Sequence, residues 1–195
     1  MTIKIAMGLL QPDAGQVLID GVDVTHASQK DRARLMSRFG MLFQGAALFD
    51  SLTIWENVAF KLLNADHVKR KAAKARAVEA LGRVGLAPDV AGLYPNELSG
   101  GMQKRAGLAR AVVARPDLIF FDEPTTGLDP INADVINNLI VEQVKRLGCT
   151  AVSITHDLAS ARKIGDEVAM LHKGKIVWRG PSANLDHSGN AYVDQ

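Results

Sequence analysis

The opening MTIKIAMGLL places Ile3, Ile5, Ala6, Leu9 and Leu10 at helical spacing, which predicts a helix running to the turn cluster Pro12, Asp13 and Gly15. QVLIDGVDV then gives two short apolar strands around Asp20-Gly21, a dipeptide that favours a tight hairpin turn. DRARLMSR predicts a short helix, and FGMLFQ a strand ending on Gln44. The next stretch, GAALFDSLTIWENVAFKLL, is apolar without a clear period, and an Ala- and Lys-rich segment, helical by propensity, follows to about Val84. Gly85 to Glu97 is rich in turn residues, and LSGGMQKRAGLARAVVA reads as a loop feeding a helix. Leu118 to Phe121 form a continuous apolar run stopped by Asp122 and Glu123, the pattern of a central parallel strand buried on both faces. A helix from about Asn132 to Leu147, a strand TAVSIT with His156 at its end, and a hairpin turning at Lys173-Gly174 follow. Strands alternating with helices predict an α/β sheet with crossover connections.

Composition narrows the class. With 195 residues, 47% hydrophobic and 23% charged, the chain is a globular domain with room for one substantial core. A net charge of +2 is too small to argue for nucleic acid, and the basic cluster Lys69, Arg70, Lys71, Lys74 and Arg76 lacks interleaved aromatics, so it reads as a solvated helix face. Cys149 stands alone, which rules out an internal disulfide and favours a reducing, cytoplasmic setting. No apolar run reaches the roughly 18 residues of a membrane span.

Four places carry chemistry. Asp122 and Glu123 end a strand at the edge where open α/β sheets bind ligands. One carboxylate there can hold Mg²⁺, and the next can deprotonate water that attacks a phosphoryl group; two acids after a strand also suit a helix cap or solvated loop. In LSGGMQKR, Ser99, Gly100 and Gly101 stand where a helix begins, and free N–H groups with the positive dipole end favour an anion. A bare Ser-Gly-Gly would equally be a simple N-cap. His156 can donate to a terminal phosphate, whereas His26, His67, His172 and His187 have no comparable setting. Gln44 can reach a metal or a water through its amide.

The order of these pieces resembles one family. Gln44, LSGGMQ, LIFFDEP, TTGLD at Thr125 to Asp129, and His156 match the Q-loop, signature, Walker B, D-loop and H-loop of ATP-binding cassette (ABC) proteins, over nearly the whole chain. The resemblance implies a P-loop NTPase fold with an inserted helical subdomain and antiparallel hairpins. It implies one incomplete cassette, with core segments 1–44 and about 110–195 and a helical signature subdomain over about 45–109. ATP and Mg²⁺ would be the cofactors. Asp122 and Gln44 would hold Mg²⁺, Glu123 would be the catalytic base, and His156 would contact the γ-phosphate. Ser99, Gly100, Gly101 and Gln103 would serve the nucleotide of a second cassette in a head-to-tail homodimer, with Asp129 at the interface. In the family the helix matching TIKIAMGLL follows a Walker A loop, G-x-x-x-x-G-K-[ST], and that pattern occurs nowhere in these 195 residues. The expectation is a cassette truncated at its N-terminus, lacking its first strands and phosphate cradle, with an open edge in mid-sheet and poor solubility.

LFQGAALFDSLTIWENV with TTGLDPI resembles the cassettes of Mla-type transporters, which move phospholipids between bacterial membranes. That likeness implies a groove near Phe49 to Phe60 that receives a membrane permease, and a position on the inner face of the cytoplasmic membrane. A soluble ABC protein of DNA repair or translation would need a coiled-coil insertion or a second cassette, and neither occurs in these 195 residues. The competing reading is a catalytically dead cassette serving as a binding or regulatory module.

Overall fold

The computed structural model describes residues 1–190 and Val193; the rest of AYVDQ lies outside the described residues. The opening helix α1 spans only Thr2–Ala6, shorter than its periodicity predicts. Gly8 adopts φ +69°, and the Leu9 amide folds back to the Lys4 carbonyl at 2.8 Å, so a left-handed glycine stops the helix. Ile3 and Met7 stay buried while Leu9 and Leu10 are left exposed. A hairpin of β1 (Leu18–Ile19) and β2 (Val22–Asp23) turns on Asp20-Gly21 as expected. Helix α2 (Gln29–Met36) follows, its N-cap Ser28 accepting from the Asp31 amide.

Strand β3 (Phe39–Leu42) stops two residues before Gln44, which instead opens a turn over 44–47. The aperiodic stretch resolves into that turn and helix α3 (Ile54–Asn64). Glu56 fixes the start of α3 by accepting from both the amide and the hydroxyl of Thr53. Helix α4 (Arg70–Arg83) packs on it through Ala73, Ala77, Ala80 and Leu81. Its basic residues are only partly solvent groups: the Arg70 guanidinium lies 4.7 Å and the Lys74 ammonium 5.5 Å from the Trp55 ring centre, and Arg76 donates to the Val113 carbonyl. Two single turns, Pro88–Gly92 and Pro95–Glu97, lead into α5 (Gly100–Val112).

Strand β4 (Leu118–Asp122) lies between β3 and β5 (Thr150–Ile154) in a parallel sheet, joined to β5 by α6 (Pro130–Leu147). Alternation along β4 divides the interior: Ile119 and Phe121 join a core with α3, α4, α5 and α6, while Phe120 faces Ile3, Met7 and Phe39. Phe39 and Phe120 meet edge to face, their ring centres 5.5 Å apart. Helix α7 (Leu158–Ile164) leads to the antiparallel ribbon of β6 (Glu167–His172) and β7 (Lys175–Pro181). Among the described residues β5 pairs only with β4, and β6 only with β7. The edge of β5 is therefore open, with Val152 42% exposed.

Candidate functional site

The carboxyl ends of β3, β4 and β5 converge because the parallel register aligns Leu42 with Phe121 and Asp122 with Ile154. Asp122 closes β4, and Gln44 stands exposed just beyond β3. At Glu123 the chain turns through φ +49°, a conformation that β-strand continuation does not allow, while its amide still donates to Ile154. This turn aims the Glu123 carboxylate at the neighbouring strand end, where Oε2 lies 2.7 Å from His156 Nδ1 and accepts from the Thr126 hydroxyl at 2.8 Å. Partial burial pushes the Glu123 carboxyl up, but the bonds from His156 and Thr126 outweigh it and hold the group below its ordinary range. The same contact raises His156.

A second group forms where two helices begin. Ser99 caps α5, its hydroxyl accepting from the Met102 amide at 3.3 Å, and Gly100 is exposed in the first turn. Asp129 caps α6, accepting from the amides of Ile131 and Asn132 at 3.0 Å each. A Cβ on Gly101 would come 3.7 Å from Asn132 Oδ1, so the two helix starts are neighbours. Gln103 turns its amide inward, donating to the carbonyls of Pro95 and Leu98, and thereby braces the turn that precedes Ser99.

Several residues absent from the sequence reading organise the site. Lys104 is only 7% exposed and donates to the carbonyls of Thr126 and Glu123. Its signal was a cation on the same helical stripe as Leu108, Ala111 and Val112. Arg110 donates to the carbonyls of Ala46 and Ala47 in the turn after Gln44. Behind His156, the Ser160 hydroxyl donates to Asp157 and accepts from Asn137, which fixes the start of α7. Buried Asn57 gives its amide hydrogens to the carbonyls of Phe49, Leu52 and Thr53 and accepts from the Phe49 amide. It thus moulds the loop that leaves Phe49 exposed against Phe60, their ring centres 4.7 Å apart. Trp55, by contrast with these two rings, is buried in the core.

No group of three or more His, Cys, Asp or Glu side chains able to hold a metal occurs among the described residues. Asp122 at the end of β4 and Gln44 in the turn beyond the adjacent β3 do offer hard oxygen donors, a sparse set that suits Mg²⁺, which keeps waters and takes phosphate oxygens as further ligands. No described helix is long and apolar enough to cross a membrane.

Similarity to known proteins agrees with this architecture. The chain is 39% identical over 195 residues to the probable ribonucleotide transport ATP-binding protein mkl of Mycobacterium bovis, covering 99% of this chain and 54% of that protein. It is 38% identical over 193 residues to the intermembrane phospholipid transport system ATP-binding protein MlaF of Haemophilus influenzae, covering 99% and 73%. It is 42% identical over 173 residues to the methionine import ATP-binding protein MetN of Carboxydothermus hydrogenoformans, covering 89% and 51%. The chain thus spans about half the length of most of these curated relatives. Its fold matches a dimeric ATP-binding cassette in a post-hydrolysis state bound to ADP and Pi, with a TM-score of 0.83 at 29% identity, over 93% of this chain and 79% of that one. The family model described as ABC transporter matches residues 1–126, and the chain belongs to that family.

Proposed function

We propose that the chain is the ATP-binding and hydrolysing subunit of a membrane transporter, working as a pair of cassettes. The observation that carries this reading is the placement of Glu123 beside Asp122 at the end of β4, with its carboxylate against His156 at the end of the neighbouring strand. In this reading Glu123 accepts the proton of the attacking water and His156 donates to the terminal phosphate. Asp122 and Gln44 would hold Mg²⁺, which neutralises charge on the phosphate oxygens. Ser99, Gly100 and Gly101 would cap the nucleotide of the second cassette, with Gln103 bracing them and Asp129 lying across the interface. Nothing in this chain lies within 4 Å of where a Cβ on Gly100 would sit, so its own packing does not call for glycine, whereas a phosphate drawn onto the backbone does. The reading requires a phosphate-cradling P-loop in addition to these 195 residues.

The exposed Phe49 and Phe60 would receive the permease, and the subunit would then sit peripherally on the cytoplasmic face of the membrane. Phospholipid is the substrate class we infer, supported by the likeness to MlaF and by the stretch around Phe49 to Val58. The test is hydrolysis by the purified assembly of the permease with the subunit that carries this chain together with that P-loop. Glu123→Gln is expected to lower turnover on the order of 10²–10⁴-fold while leaving ATP-driven dimerisation in place. Unchanged turnover in that variant would remove Glu123 from the chemistry. Stimulation by phospholipid vesicles, and not by methionine or ribonucleotides, would separate the three transport classes.

A further inference from the structure

Helix α5 carries two inward cations, and each ends on backbone carbonyls of a turn with non-glycine residues at positive φ. Lys104 Nζ lies 2.9 Å from the Thr126 carbonyl and 3.4 Å from that of Glu123, where Glu123 sits at φ +49°. Arg110 reaches the carbonyls of Ala46 at 2.6 Å and Ala47 at 2.7 Å, and those residues sit at φ +60° and +48°. Left-handed backbone is unfavourable for residues with a Cβ, so such turns persist only where surrounding groups hold them. The six-residue step from Lys104 to Arg110 advances the helix by about 9 Å, which sets one cation at each turn. Between them Gly107 seats α5 against the sheet: a Cβ there would come 2.9 Å from Leu42 Cδ1 and 3.2 Å from Ala46 Cβ.

We propose that Lys104 and Arg110 are positioning residues through which the signature helix fixes the two nucleotide-facing turns of its own subunit, the turn after Gln44 and the turn carrying Glu123. The importance of those turns to catalysis rests on the ATPase reading above; the clamping itself does not. If Ser99 to Gly101 face the partner's nucleotide, α5 becomes the rigid body by which one site's occupancy is felt at the other. Burying a lysine costs desolvation, and here charge-assisted bonds to carbonyls offset it. Burial lowers the Lys104 ammonium, opposed by attraction to Glu123.

Amide hydrogen exchange of the chain tests this residue by residue. The Thr126 amide bonds to Glu123, the Leu128 amide to Thr125, and the Ala46 amide to Phe43, so each turn has its own reporters. Lys104→Met should speed exchange about tenfold at Thr126 and Leu128 and leave Ala46 unchanged, whereas Arg110→Met should do the reverse. Lys104→Arg and Arg110→Lys should restore most of the protection. Exchange that does not change, or rises equally at both turns in each variant, would overturn the proposal. In the permease-bound assembly Lys104→Met should lower kcat with KM for ATP held within about twofold. A loosened turn with unchanged kcat would overturn the positioning role, while absence of turnover in the unsubstituted assembly would overturn the ATPase reading and leave the exchange data to decide the clamp.

Discussion

Glu123 and His156 form a pair whose charges support each other, and their titration follows from the contact. His156 is raised from its ordinary 6.5 chiefly by its hydrogen bond to Glu123, so its contribution to stability is complete below about 6.5 and is lost as pH rises through the folded value. Glu123 is lowered from 4.5, so its contribution is complete above about 4.5 and is lost as pH falls through the folded value. Both are in force together between about 4.5 and 6.5. An NMR titration of the His156 ring is expected to place its pKa above 6.5, and Glu123→Gln to return it toward 6.5; equal values in the two proteins would rule out the pairing. The identities of the two residues were legible from LIFFDEP and TAVSITH because strand ends collect site residues. Their mutual contact was not, since it depends on a positive φ at Glu123 that no local pattern announces.

Among elements, the agreement between sequence and structure follows how local the determining force is. β4 could be read directly because a strand buried on both faces needs an unbroken apolar run, and Leu118 to Phe121 supply one. α1 was overextended because the apolar period continues through Leu9 and Leu10 past Gly8, whose left-handed turn overrides it. α3 was hidden by apolar residues on several faces, although Thr53 and Glu56 already spelled its start. The close crossing of α5 over β3 had no local signal, because it depends on the absence of a side chain at Gly40. A Cβ there would meet the Ala111 carbonyl oxygen at 2.3 Å and Pro116 Cγ at 3.0 Å. Neither the strand nor the helix backbone can yield cheaply, so Gly40→Ala should cost about 1–3 kcal/mol or more, read as a lower midpoint in urea unfolding. A midpoint equal to that of the unsubstituted protein would show that the two elements part more easily than their packing implies.

At the scale of the whole molecule, the two halves of the proposed site lie on different elements. Glu123 and His156 stand at the sheet edge, whereas Ser99 to Gly101 open α5 beside the cap of α6. If each nucleotide is held by the sheet edge of one subunit and the α5 start of the other, two defects placed in different halves must complement. In that arrangement Glu123→Gln would remove the proposed base from its own subunit's site, and Ser99→Arg would fill the position proposed to cap the partner's nucleotide. Homodimers of either variant contain two damaged sites and should be inactive. A mixed dimer, however, has one site built from the intact Glu123 of one chain and the intact Ser99 of the other, with both defects gathered in the second site. Random assortment of equal amounts makes half of the dimers mixed, each with one of its two sites intact, so activity should return to about one quarter of the unsubstituted value in a closed two-fold assembly whose sites turn over independently. Strict coupling between the sites would hold the mixture below that level while each mixed dimer still binds nucleotide at one site. A mixture with no restored nucleotide site would show that Ser99 and Glu123 serve the same nucleotide within one chain, and the head-to-tail arrangement would fall.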